Sequence, residues 1–203
     1  MATLPIMLFN ERALTPSFGY VFDPKWIYPY ESLASILWKL VRMNRLPGHI
    51  VVTQLARDSS IDPYLGVGAS QSDVDIGRIP QVLGVSLNTL HSSLLLDSLL
   101  QCSSPYFRYC RKCMYRGYHG VVHQLESIKF CPVHQCRLEI ECDACGGHTP
   151  YRLNAYFLDA PYRCASCRKL YASWPPSIVN KRPLARKARV AMTRSWLHPS
   201  SYY

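Results

Sequence analysis

The sequence predicts a chain of two characters. A mainly α N-terminal half with a helix-turn-helix-like hairpin is followed by small α+β zinc-ribbon modules stabilised by two structural zinc ions. Three observations carry this expectation. Apolar residues recur at helical spacing before residue 96; the 9 cysteines all fall within 102–167; and four Cys/His pairs in that span share one internal spacing. The expected organisation is a helical domain at 1–101, tandem zinc-binding modules at 102–171, and a basic C-terminal extension at 172–203.

Residues 1–29 read as an extended strap packed on helices. Pro5, Pro16, Pro24 and Pro29 interrupt any regular element, and Phe18, Tyr20, Phe22, Trp26 and Tyr28 are residues that polar linkers do not carry. Residues 31–45 form the clearest helix. Leu33, Ile36, Leu37, Leu40 and Val41 make one apolar face, Glu31 and Ser32 sit at the positive helix start, and Pro47 is expected to stop it. A short helix is expected at 51–57 and a Ser-, Gly-, Asp- and Pro-rich loop at 58–73. Residues 73–95 resemble a helix-turn-helix. Asp73 is the expected cap of a helix with Ile76, Ile79, Val82 and Leu83 inward, a start that Pro80 weakens. Gly84-Val85-Ser86 is the turn, and Ser86 caps a second helix with Leu87, Leu90, Leu94 and Leu95 inward. The outward residues of that second helix, Asn88, Thr89, His91, Ser92 and Ser93, include no Lys or Arg. An ordinary helical hairpin in a core fits them better than a partner- or DNA-facing helix-turn-helix.

With 203 residues, 48% hydrophobic and 12% aromatic, the chain is too apolar to be disordered and suits one or two compact domains. Its net charge of +10 favours an anionic partner. The charge is asymmetric: 7 basic and 8 acidic side chains lie in 1–100, against 16 basic and 5 acidic in 101–203. The second half is therefore expected to face a nucleic acid backbone. Its candidate contacts are Lys181, Arg182, Arg186, Lys187, Arg189 and Arg194, in a segment with no acidic residue. The uncharged stretch 79–96 contains Pro80, Gln81, Asn88 and His91, which argues against a membrane span. Residues 1–9 lack a basic leader and a small-residue cleavage site, so no signal peptide is read and a cytoplasmic, reducing setting is expected. In that setting clustered cysteines point to metal before disulfides.

The pairs are Cys110/Cys113, Cys131/His134, Cys142/Cys145 and Cys164/Cys167. Two intervening residues let a tight turn aim both side chains at one ion, and zinc takes four such ligands. The gaps from Cys113 to Cys131 and from Cys145 to Cys164 match the spacing of zinc ribbons, about 15–20 residues. Sequential pairing gives one site from Cys110, Cys113, Cys131 and His134, and another from Cys142, Cys145, Cys164 and Cys167. A cross-brace, with alternate pairs sharing an ion, is the competing topology. Sequential pairing closes shorter loops. Both sites are filled by protein ligands and so are structural. Cys102 and Cys136 are expected to be plain thiols, with Cys136 a lesser competitor as ligand. His119 and His123 are expected to form hydrogen bonds inside the first module. The sequence has no His-x-Glu, no His-Glu-x-x-His and no Gly-Lys, which leaves an enzyme without a recognisable site.

These pieces, in this order, resemble the TniQ family of bacterial transposition proteins. Glu31-Ser32-Leu33-Ala34-Ser35-Ile36-Leu37 is similar to the family's N-terminal helix. Residues 79–90, with Leu83-Gly84-Val85-Ser86, are similar to its helix-turn-helix region. Tyr109-Cys110-Arg111-Lys112-Cys113, Gly117-Tyr118-His119, His123-Gln124-Leu125 and Cys131-Pro132-Val133-His134 with Leu138 resemble its first zinc module. Cys142-Asp143-Ala144-Cys145-Gly146 and Pro161-Tyr162-Arg163-Cys164-Ala165-Ser166-Cys167 resemble the second. Arg168 departs from the pattern, standing where a Gly commonly follows the last Cys pair. The resemblance implies a non-enzymatic target-selection adaptor. Such a protein links target DNA, or an RNA-guided DNA-bound complex, to an AAA+ ATPase that recruits the transposase, and some members form homodimers. The alternative is an autonomous sequence-specific DNA-binding regulator using the helix-turn-helix and the ribbons.

Overall fold

Ser32 starts the first helix: its hydroxyl accepts the backbone N–H of Ser35 at 3.3 Å. In the computed structural model, which describes residues 20–58, 60–173 and 185–197, helix α1 runs Leu33–Asn44 and is buried from Leu33 to Val41. Arg45 ends it in a left-handed conformation (φ 51°), before the expected stop at Pro47. Pro47 instead caps the start of α2 (Gly48–Leu55), which therefore begins earlier than residue 51. Helices α3 (Arg78–Leu83) and α4 (Leu87–His91) follow, joined through Gly84 at φ 62°. Ser86 caps α4, its hydroxyl accepting the Thr89 N–H.

Two expectations here are corrected. Asp73 does not cap α3: its carboxylate accepts from the Ser70 hydroxyl, and Asp75 takes the N–H groups of Gly77 and Arg78 at 3.0 and 3.1 Å. Leu87 is not inward. It is 52% exposed, whereas Leu90, Leu94 and Leu95 are buried. Helix α4 lasts only 5 residues, so helical spacing does not extend across all four leucines.

The second half carries α5 (Arg111–Tyr115), α6 (Ala155–Leu158) and α7 (Arg186–Leu197). The expected α+β ribbons are not built from strands. Among the described residues the β contacts are isolated bridges, such as Tyr109 with Glu139, Phe130 with Arg137, Glu141 with His148 and Arg163 with Leu170. The long loops between the ligand pairs carry short helices and buried side chains instead, so the molecule is helix-rich with few strand contacts.

Those loops position everything else. The loop between Cys145 and Cys164 enters the space beside α1 and α2. Trp38 of α1 packs on Phe107, Phe157 and Tyr162, with ring centroids 5.5, 4.8 and 5.0 Å away, and its indole N–H donates to the Phe157 carbonyl at 2.8 Å. Gly48 lets α2 touch α6: a Cβ there would stand 2.5 Å from the Ala155 carbonyl oxygen, and the Gly48 N–H donates to Asp159 instead. One hydrophobic cluster thus contains residues from both sides of position 101. The chemistry of the chain changes there, but the core passes through. Of the expected strap, residues 1–19 lie outside the described residues. Its remainder forms a short turn at Pro24–Trp26 and buries Tyr28 edge-on against Tyr118, centroids 5.6 Å apart. No helix among the described residues is long and apolar enough to cross a membrane.

Candidate metal centres

Three of the four ligand pairs are built by one backbone device. At Cys131/His134, Cys142/Cys145 and Cys164/Cys167 the residue after the second ligand is left-handed: Gln135 (φ 53°), Gly146 (φ 68°) and Arg168 (φ 62°). In each case that residue's N–H returns to the carbonyl of the first ligand, at 2.8, 2.8 and 3.0 Å. The first ligand's own N–H bonds the next carbonyl along, from Cys136, Gly147 and Lys169 respectively. The tight turn aims two side chains the same way. It also explains Arg168: the position requires positive φ, which glycine adopts freely and arginine only at a cost. The pair Cys110/Cys113 differs, with Cys110 at the start of α5 and Cys113 within it.

The four pairs converge as two clusters, Cys110–Cys113–Cys131–His134 and Cys142–Cys145–Cys164–Cys167, with the ligand atoms of each within 4.8 Å of one another. The pairing is sequential, not cross-braced. In the first cluster Cys113 and Cys131 Sγ are 3.6 Å apart, and His134 Nδ1 lies 3.4, 3.2 and 3.7 Å from the sulfurs of Cys110, Cys113 and Cys131. In the second, Cys142–Cys167 and Cys145–Cys164 span 3.6 and 3.8 Å. A tetrahedral ion with bonds of about 2.3 Å needs ligand-to-ligand edges of about 3.8 Å. Each cluster can therefore hold one metal ion, with all four positions supplied by protein.

The surroundings favour the thiolate at Cys131 and Cys164, whereas burial pushes the Cys113 and Cys142 thiols up. Hydrogen bonds from Cys110 and Cys113 hold the Cys131 thiol well below its usual range. Burial pushes Cys164 up, but the N–H groups of Cys167 and Ser166 outweigh it and bring it down to about 7. His123 Nδ1 accepts the Gly120 N–H at 3.2 Å, which leaves Nε2–H to face the Cys131 sulfur at 3.6 Å. Burial pulls His123 down to about 4, so the ring is neutral and acts as a donor to a ligand sulfur. Cys136 Sγ stands 3.3 Å from Cys110 Sγ. Burial raises Cys136 to about 11, so it keeps its proton beside the Cys110 sulfur. Cys102 is exposed and takes no part in either cluster.

His119 does more than bond within its own module. Its Nε2 meets the Arg108 carbonyl at 2.8 Å and must donate; its Nδ1 therefore accepts the Ser32 hydroxyl at 2.7 Å. The His119 N–H donates to Ser35 Oγ at 3.2 Å, and Ser35 donates to Glu31 at 2.6 Å. Glu31 and Lys39, both with fully buried side chains, form an ion pair; Lys39 also donates to the Trp26 carbonyl at 2.8 Å. Glu31, Ser32, Ser35, Lys39 and His119 thus lock α1 to the first metal module. No spacing rule finds this network, because Ser32 and His119 are 87 positions apart.

Two arginines in the cysteine region are structural. Arg108 is buried and donates to the carbonyls of Leu125 and Ile128, fixing the chain that leads into Cys131. Arg111 forks onto Glu139 at 2.6–2.8 Å and reaches Asp143 at 2.9 Å, tying the first module to the second. Of the expected nucleic-acid contacts, Lys181 and Arg182 lie outside the described residues. Arg186, Lys187, Arg189 and Arg194 are exposed on α7. That helix docks through Ala188 and the buried Met192 and Ser195 on the turn Val121–Gln124, where Gly120 leaves room for the Met192 methyl group. Neither a scan against protein-family models nor a search of curated proteins returns a match for this chain.

Proposed function

We propose that this protein is a zinc-stapled, non-enzymatic adaptor of the TniQ type. It joins target DNA, or an RNA-guided complex on that DNA, to an AAA+ ATPase that recruits a transposase. The observation that carries the reading is where the family-like residues lie. Glu31, Ser32 and Ser35 from one family-like stretch and His119 from another share one buried hydrogen-bond network. The family-like stretches thus meet in one folded unit, as the resemblance requires.

The donor sets suit zinc in particular. Cys₄ and Cys₃His sets with ligand edges of 3.2–3.8 Å fit a soft, tetrahedral ion. Zinc there supplies folding free energy, and with four protein ligands there is no open position for water or substrate. The chain's own residues do the remaining work: His123 donates to a ligand sulfur, and Arg111 bridges one module to the other. The helical half, near neutral in charge, serves protein contact, and the basic half serves the nucleic acid backbone.

The test is a nuclease-treated pull-down with the full chain from its native host. The adaptor reading expects an AAA+ ATPase or a targeting complex, recovered again when purified components are mixed. No such partner, with tight binding of the chain alone to one DNA sequence, would replace it with the autonomous regulator. In that reading α3 and α4 act as a helix-turn-helix.

A further inference from the structure

Helix α7 has two faces of opposite character. Ala188, Met192 and Ser195 turn inward, at helical spacing. Arg186, Arg189 and Arg194 turn the other way, into an open cleft of about 800 Å³ whose far wall is Tyr30 and Ser92. Among the described residues none of the three arginines has an ion-pair partner, and no Asp or Glu lines the cleft. The far wall is held firmly. Tyr30 has a left-handed backbone (φ 55°), costly for a residue with a side chain, and its carbonyl accepts the Val121 N–H at 3.0 Å. Ser92, just past α4, donates its hydroxyl to the Thr89 carbonyl at 2.9 Å, which leaves its oxygen lone pairs available as acceptors only.

We propose that this cleft is the nucleic-acid site of the protein and that Arg186, Arg189 and Arg194 each meet a backbone phosphate. Three guanidinium groups lining one cleft without a counter-charge repel one another, and an anion relieves that repulsion. Their spread favours a polyanion over a single small anion. Arg186 to Arg194 covers about 12 Å of helix axis, along which one strand of a duplex presents about three to four phosphates. Planar forks match phosphate geometry better than ammonium groups would. The contact falls on α7, across the cleft from Ser92, and not on the uncharged outward face of α4. This inference rests on the proposed role of the basic half and assigns that role to one surface.

The test is the salt dependence of binding by the full chain, read by fluorescence anisotropy on duplex DNA and on single-stranded RNA of mixed sequence. Replacing all three residues (Arg186→Gln, Arg189→Gln, Arg194→Gln) is expected to flatten the log K against log salt slope by about 2.7 on duplex DNA, at about 0.9 per lost phosphate contact. Affinity should then fall about 40-fold less between 50 and 200 mM salt than it does for the unaltered chain. Val190→Trp, at a 58% exposed position on the cleft wall, is expected to weaken binding at unchanged charge. Lys187→Gln, on the same helix but outside the cleft lining, is expected to change the slope much less than any one arginine does. Metal content and circular dichroism establish that each variant is folded.

An unchanged slope in the triple variant, with binding retained, overturns the cleft while leaving the adaptor's nucleic-acid contact elsewhere. Equal effects from Lys187→Gln and the arginine variants also overturn it, since they would show diffuse charge and no site. Poly-glutamate competing as well as DNA, charge for charge, would make the cleft a site for an acidic protein surface. No salt-dependent binding to either probe by the unaltered chain would remove the reading on which the cleft rests.

Discussion

The two metal modules share ligand spacing, yet they sit in the molecule differently. In the first cluster Cys110, Cys113 and Cys131 are buried and His134 is half-buried. In the second, burial alternates: Cys142 and Cys164 are buried, while Cys145 and Cys167 are exposed. Their loops also reach the helical half by different chemistry. The first loop uses a polar lock, His119 on Ser32 and Ser35. The second uses aromatic packing, Phe157 and Tyr162 on Trp38. Spacing therefore states how a metal is held and not what depends on it. An ion in the first cluster would organise the centre of the fold, and one in the second would fix a surface module whose loop is anchored by apolar burial.

The sharpest way to break this comparison is to remove one equivalent ligand from each site. Cys113→Ser leaves a vacancy in a buried cluster, and its cost should exceed the whole stability of the chain, about 5–15 kcal/mol. The expected result is loss of cooperative unfolding and of the first metal, read by calorimetry and elemental analysis. Cys145→Ser, at an exposed position, should lose the second metal while α1 amides stay protected from hydrogen exchange. Similar collapse in both variants would erase the distinction.

Acid should act on the first module before the second. His123 is held at about 4 against an ordinary 6.5, and burial also holds His119 well below its usual value. A histidine with a depressed folded pKa adds stability that is complete above 6.5 and is lost as pH falls toward 4. For His123 the loss over that window is about 3 kcal/mol. A melting temperature flat between pH 7 and 5 would contradict the neutral, buried assignment. The polar lock alone should be worth about 2–4 kcal/mol. His119→Ala strands the Ser32 hydroxyl and the Arg108 carbonyl in the core, and chemical denaturation reads the difference.

Parts of this were legible in the sequence because their causes are local. A Cys/His pair with two intervening residues is set by one turn, so all eight residues of the two clusters could be read off, and the period of Leu33, Ile36, Leu37 and Leu40 sufficed for α1. The α+β expectation failed because a ligand turn looks the same whether a strand or a helix lies beyond it. Asn154 caps residues 155–158 locally, but their docking on α1 and α2 is set far away in sequence. Leu87 departs from the helical pattern because a helix of 5 residues is too short for periodicity to extrapolate. Ser32, Ser35 and His119 are individually ordinary. Their meaning is in a meeting that only the folded chain makes.

The smallest expected effect is at the seam between the modules. Arg111 is 46% exposed and its partners Glu139 and Asp143 are 33% and 42% exposed, so solvent screens the forked pair. Arg111→Ala should cost about 1 kcal/mol or less, and less still at high salt. A larger loss would mean that the modules depend on each other more than the geometry indicates.

The most direct test of the central claim, two structural metal ions of unequal consequence, is native mass spectrometry of the purified chain during a chelator titration. Stepwise loss is expected: a two-metal species, then a one-metal species that keeps a compact charge-state distribution, then a metal-free species that is expanded. A single step from two metals to none, or a compact metal-free chain, would contradict it.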